Sequence, residues 1–302
     1  MSASKSAIAI LTTAYNVALQ ALPLYAHKFS PKTYTQPQLF ACLVLKEFLQ
    51  LDYRKLQRLL EEIAEFRNVI GLKKVPHFTT FQKAAKRLLR YPNVGRLLEA
   101  TIQEARQRHV LRTRVSLAAL DATGFESHHV STYYARRRRK GSETAEKVLY
   151  SRFPKLHILC DTKTHLILAA LPEQGPSPDV TRFPTLLDQA RRRVRLEALA
   201  ADPGYDSEAN HRYARELCGV RTLIPPETGR PTANPPTGYW RRQMKYHLKQ
   251  SRYGQRWQAE TVISMLKRLL GSALRARTYW SRYREMLLRT LTHNIMLIAQ
   301  AA

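Results

Sequence analysis

The sequence predicts an α/β fold: a mixed five-stranded sheet flanked by helices and preceded by an all-α region. Three observations carry this. The first ~108 residues hold only helix-like apolar spacing. From His109 onward, short apolar runs alternate with helical stretches, in the order three strands, helix, strand, helix, strand, helix. Two of the apolar runs end in aspartate, Asp121 and Asp202, as strands do when a sheet displays ligands at its carboxyl edge. The expected division is 1–108 and 109–302.

In the first region, residues 6–22 form a mixed apolar helix ended by Pro23. Thr35 and Pro37 open a strongly apolar helix reaching Phe48 and enclosing Cys42 as a small core residue. Asp52 is expected to cap a helix whose core spacing is Tyr53, Leu56, Leu59, Leu60 and Ile63. After Pro76, Thr79 or Thr80 caps a helix with Phe81, Ala84, Ala85, Leu88 and Leu89 on one face. Lys83, Lys86, Arg87 and Arg90 lie on the other, a face for groove or phosphate contacts or simply a solvated one. Residues 93–107 make a further helix.

In the second region, residues 115–120 form a strand ending in Asp121. Residues 155–160 and 165–171 pair through the turn Asp161-Thr-Lys-Thr. Asp179 is expected to cap a helix over 180–193, and residues 196–201 form a strand ending in Asp202. A helix over 207–218, which Asp206 would cap, stops at Gly219, and residues 220–224 form the fifth strand. A Pro-, Gly- and cation-rich stretch to about Lys249 reads as a long loop. Helices over 255–270 and 283–299 close the chain, with Gly271 ending the first and His293 and Asn294 a satisfied polar pair inside the second.

Fifty Lys and Arg stand against 23 acidic residues, a formal charge of +27. A folded chain this basic seeks a polyanion, nucleic acid or an anionic surface. No apolar run approaches the ~18 residues of a membrane span, and no signal peptide is apparent. The three cysteines are scattered without a Cys/His cluster, which argues against structural zinc.

The most informative stretch is Tyr253, Arg256, Glu260 and Lys267. At ~100° per residue these offsets fall within roughly 60° of one helix face. Phenol, guanidinium, carboxylate and ammonium on one stripe suit a metal held by the carboxylate and phosphates held by the rest. Counting Tyr253 requires the helix to start before Gly254. With Asp121 and Asp202, Glu260 makes three carboxylates from three elements, hard oxygen donors that suit Mg²⁺ or Mn²⁺, as two ions in phosphoryl transfer.

These residues carry a resemblance. Tyr253 to Lys267, with Asp121-Ala-Thr-Gly and Asp202-Pro-Gly-Tyr-Asp upstream, resembles the DDE transposases of prokaryotic insertion sequences, the IS-four/IS-five superfamily. It extends over roughly 36–298. The resemblance implies an RNase H-like catalytic domain over 109–302 behind a helical DNA-binding and dimerisation domain over 1–108. It implies a metal-holding catalytic triad of Asp121, Asp202 and Glu260 that cleaves element ends and joins the 3′-hydroxyl to target DNA. Tyr253, Arg256 and Lys267 would bind double-stranded end DNA, in a homodimer assembled on that DNA, in the prokaryotic cytoplasm. The 57 residues between Asp202 and Glu260 leave no room for the β-domain that some relatives carry there.

The run Arg136, Arg137, Arg138, Arg139 and Lys140 reads as a phosphate-contacting loop, and His128 and His129 as loop residues. Trp257 reads as a core residue rather than a base-stacking one. Asp206 and Glu208 stand close enough to Asp202 in sequence to rival it as ligands. Two other classes stay open: a non-catalytic DNA-binding protein, and a nuclease that hydrolyses without strand transfer.

Overall fold

The computed structural model describes residues 3–127, 152–227, 234–248 and 251–300. Six helices come first: α1 (Ala7–Ala21), α2 (Gln36–Phe48), α3 (Tyr53–Glu62), α4 (Ala64–Val69), α5 (Phe78–Leu88) and α6 (Asn93–Gln107). Their starts follow local chemistry. Ser6 accepts from the Ala9 amide, Thr35 and Gln38 form a reciprocal capping box, and Asp52 accepts from the Lys55 amide at 2.8 Å. α5 departs from expectation. It begins at Phe78, and Thr79 contacts the His77 ring instead of capping.

The sheet runs β5-β4-β2-β7-β8, with β2 (Ala118–Gly124), β4 (Phe153–Asp161), β5 (Ile167–Gly175), β7 (Ala198–Ala201) and β8 (Arg221–Leu223). The first three strands are antiparallel, and β2, β7 and β8 are parallel. Two-residue strands flank it: β1 (Arg114–Val115) beside β6 (Arg195–Leu196), and β3 (Glu126–Ser127) beside β9 (Ala273–Leu274). The β4–β5 turn is as read, with Asp161 accepting from the amide and hydroxyl of Thr164.

Asp121 is not at a strand end. β2 runs on to Gly124, because β4 keeps pairing after β7 has stopped at Leu120 against Ala201.

The helices α7 (Phe183–Arg191), α8 (Glu208–Arg212), α9 (Tyr239–His247), α10 (Trp257–Leu270) and α11 (Tyr279–Gln300) complete the fold. Neither Asp179 nor Asp206 is a cap. Asp179 pairs with Lys155, and a 3₁₀ turn separates it from α7. The buried Asp206 carboxylate pairs with Arg241 at 2.7 Å, while Ser207 caps α8. The expected loop before residue 249 contains α9. Glu208 caps it from a distance, accepting from the amides of Trp240 and Arg241 at 3.2 Å each. Gly238 has φ +100° with Glu208 against its Cα, so a side chain there meets both strain and a clash.

The apolar side of the sheet that includes Ala119, Ile158 and Ile167 shares a core with α1, α2, α5, α10 and α11. The opposite side packs under α7. α11 crosses the shared core carrying five buried polar residues, three of which tie it to other elements. His293 bonds the His165 carbonyl at 3.0 Å, and burial pushes its imidazole down to about 4. Asn294 completes the start of β5, accepting from the Ile167 amide and donating to its carbonyl. Arg289, 2% exposed, donates to Glu47 of α2 at 3.0 Å, to Glu285 at 2.8 Å, and to the carbonyls of Gly271 and Ala273. Burial opposes ionisation of Glu47, but Lys46 and Arg289 overcome it and hold the carboxyl below its usual range.

Removing one partner of a buried pair strands the other. Glu47→Ala is expected to lose about 3 kcal/mol of unfolding free energy in urea. Arg58→Ala, at the exposed pair with Glu61, should lose less than ~1 kcal/mol.

Candidate active site

The site forms where β2 and β7 part. Leu120 pairs with Ala201, and one step further the same register sets Asp121 beside Asp202, whose backbone is still extended (φ −66°, ψ 153°). Neighbouring strands lie ~4.8 Å apart. Side chains alternate faces, so both aspartates share the face of Ala119 and Ala200, the one covered by α10.

The segment 251–256 brings the signature onto that face. Ser251 accepts from the Tyr253 amide and starts a 3₁₀ turn, Arg252–Arg256, that leads into α10. The stripe is therefore split: Tyr253 and Arg256 stand on the turn, Glu260 and Lys267 on the α-helix. The Tyr253 ring packs on Leu117, Ala198, Ala200 and Leu223, which pins the turn to the sheet. Burial raises its phenol pKa; Arg256 opposes that rise and Asp202 adds to it.

Arg256 is the bridge. Its Nη1 lies 3.6 Å from Asp121 Oδ2, and its Nη2 donates to Glu260 Oε1. Glu260 sits in the first turn of α10, where the helix dipole favours a carboxylate, and its side chain is 56% exposed. Burial pushes the Asp121 carboxyl up to about 6; the Ala122 amide and Arg256 oppose that rise, and Asp202 and Glu260 add to it. Two of the proposed ligands are thus felt at the third. Lys267 lies further along α10, its Nζ 5.7 Å from the centre of the Phe125 ring, just past the end of β2.

By donor chemistry these carboxylates fit a hard divalent cation. As they stand, Glu260 faces Arg256. Among the described residues no three His, Cys, Asp or Glu side chains are gathered closely enough to hold an ion. The guanidinium takes up the charge that a cation would neutralise.

Lys83, Lys86 and Arg87 are exposed on α5, and Arg90 is exposed two residues past its end. Arg136, Arg137, Arg138, Arg139, Lys140, His128 and His129 lie outside the described residues. Trp257 is 53% exposed and so is not a core residue. Asp206, tied to Arg241 and His211, and Glu208, tied to α9, are committed elsewhere.

One polar network escaped the sequence reading. Tyr205, three residues after Asp202, donates its buried hydroxyl to His157 Nδ1 at 2.8 Å. His157 Nε2 donates to Glu173 at 2.6 Å, and Glu173 also accepts from Arg182 at 2.7 Å. Burial keeps His157 below its ordinary pKa and so neutral, which requires this tautomer. The network anchors the turn that carries Asp202. Its signal was Lys155 and His157 at a two-residue spacing in an otherwise apolar strand.

Residues 113–295 match the family model of the transposase DDE domain, and the chain belongs to that family. Similar solved structures include the piggyBac transposase synaptic complex with hairpin DNA, at 10% identity and TM-score 0.45 over 97% of this chain and 72% of that one. The Mos1 mariner paired-end complex with Mn overlaps 92% of this chain and 81% of its own, at 14% identity and TM-score 0.26. Both overlays are loose, and the assignment rests on the family match.

The raised Asp121 pKa has a consequence for stability. An acid whose folded pKa exceeds its unfolded value of 3.8 contributes stability below that value and loses it as pH rises through about 6. In chelator, Asp121→Asn is expected to melt at a higher temperature than wild type at pH 7.5 (gaining up to about 3 kcal/mol) and to show no such gain at pH 4.

Proposed function

We propose that this DNA transposase cuts double-stranded DNA at the terminal repeats of an insertion sequence and joins the freed 3′-hydroxyl to target DNA. The observation that carries the reading is the placement of Asp121 beside Asp202, with Arg256 reaching both Asp121 and Glu260. Asp121, Asp202 and Glu260 would hold two Mg²⁺ or Mn²⁺ ions, which supply activation of the attacking oxygen and stabilisation of the leaving one.

The chain's own groups do the rest. Asp121 lies within β2 and Asp202 directly follows β7, so the pairing of these strands limits the drift of one relative to the other. Arg256 carries a planar donor fork that suits a phosphate as well as a carboxylate. Tyr253, Arg256 and Lys267 line the approach to the aspartates and would hold the end DNA there. The exposed cations Lys83, Lys86, Arg87 and Arg90, with Arg136, Arg137, Arg138, Arg139 and Lys140, would contact phosphates further out. Residues 1–108 form the DNA-binding and dimerisation region and 109–302 the catalytic one. The protein acts as a homodimer on DNA, because two ends must be paired, and works in the prokaryotic cytoplasm without a membrane partner. Among the described residues no helix is long and apolar enough to cross a membrane.

A labelled terminal-repeat duplex and a supercoiled target plasmid, with Mg²⁺, test the reading. Wild type should give cut ends and joined product. Asp121→Ala, Asp202→Ala and Glu260→Ala should each lower cleavage by more than about a thousandfold while end binding persists. Full cleavage by Glu260→Ala sinks the site assignment. Cut product without joined product identifies a hydrolytic nuclease instead.

A further inference from the structure

A groove of about 660 Å³ runs between α5 and the start of α11. Lys86, Arg275, Arg277, Arg284 and Trp280 line it, with Glu285 the one carboxylate among the lining residues. Glu285 does not neutralise those cations. Its oxygens accept from the amides of Arg275 and Ala276 at 3.1 and 2.9 Å, and from the buried Arg289. The same contacts tie the 271–276 segment to α11; Arg275 also donates to the Gln50 carbonyl, and Arg277 follows it on the same wall.

The groove is cationic on both sides. Burial and the neighbouring Arg90 lower the Arg284 pKa, and Tyr53 opposes them. An aromatic group stands at its lip. Trp280 meets Tyr279 and Tyr283 edge-on at 5.0 and 5.9 Å between ring centres, and remains 61% exposed. An exposed indole beside arginines offers a flat anionic ligand a stacking face and cationic partners together.

The groove also connects to the catalytic edge. β9, which leads into Arg275, pairs with β3, and Ser127 of β3 is six residues beyond Asp121, about 20 Å of extended chain. Its volume is that of a site enclosing a small ligand. A duplex, whose major groove alone is ~12 Å wide, does not fit inside. One strand does.

We propose that this groove holds an unpaired stretch of DNA strand, with Lys86, Arg277 and Arg284 on successive phosphates and Trp280 stacked on a base. The proposal rests on the DNA-processing reading above and adds a second site to it, away from the three carboxylates. Cationic tracks interleaved with aromatic rings bind single strands because every base offers a π-face.

The test is fluorescence anisotropy of the full-length protein in chelator, with labelled (dT)₂₀ and a blunt 20-bp duplex. Trp280→Ala is expected to weaken (dT)₂₀ binding about tenfold, with duplex binding altered less than about twofold. Arg277→Gln combined with Arg284→Gln should flatten the slope of log K against log salt for (dT)₂₀ by about 1.4. In a chain carrying Trp240→Phe and Trp257→Phe, (dT)₂₀ should quench Trp280 fluorescence and the duplex should not. Unchanged (dT)₂₀ affinity and no quenching overturn the proposal. Equal losses on both DNAs overturn it too, and assign the groove to a duplex backbone. If wild type binds neither DNA, the transposase reading fails with it. If wild type binds both and the variants match it, only the groove fails.

Discussion

The parallel pairing of β2 with β7, and its end at Leu120 against Ala201, is the constraint on which the rest depends. Up to that point the two strands are apolar and buried. Beyond it β7 turns away through Pro203-Gly204-Tyr205, while β4 holds β2 straight. The first polar positions after the last pair are Asp121 and Asp202. Their adjacency follows from register, and a one-residue slip would turn one of them to the other face. The turn after Asp202 is held by Tyr205 on His157, and the turn before α10 is held by the Tyr253 ring on β7 and β8. Two anchors thus bring the third carboxylate and its arginine to the same edge.

Electrostatics follow from how the few acids are used. Glu47, Glu173, Asp206, Glu208 and Glu285 are each tied to arginines or to backbone amides that order the fold. The net charge of +27 already counts them. The exposed cations keep an open demand for anions, on α5 and in the groove beside it. At the site the balance reverses: burial outweighs both Arg256 and the Ala122 amide at Asp121, so that carboxyl holds its proton more tightly than usual. A cation beside it would favour the ionised form.

Much of the fold was readable because its signals are local. Ser6, Thr35 and Asp52 cap helices within three residues of themselves, Asp161 closes its own hairpin, and Gly271 ends α10 at φ +99°. The misses share a cause, which is that a distant partner outcompeted the local one. Asp179 pairs with Lys155 instead of capping, Asp206 with Arg241, and α9 exists because Glu208 supplies its cap across about 30 residues. Trp257 is a different case: its aromatic bulk suggested core packing, but on the wheel it lies ~40° from Tyr253 and opposite Leu266, and it is exposed.

By itself the sequence determined the order and type of most elements, the excess of positive charge, and the three carboxylates with their Tyr, Arg and Lys companions. Spacing and capping are properties of neighbouring residues, and they survive without a fold. Only the tertiary structure decided that Asp121 lies within β2 and beside Asp202, that Arg256 reaches Asp121 as well as Glu260, and that Arg275, Arg277, Arg284 and Trp280 face Lys86 across a groove. Those are relations between segments tens to hundreds of residues apart. They arise from strand register and from the burial of Arg289 and Glu47 at the centre of the shared core, which no local pattern encodes.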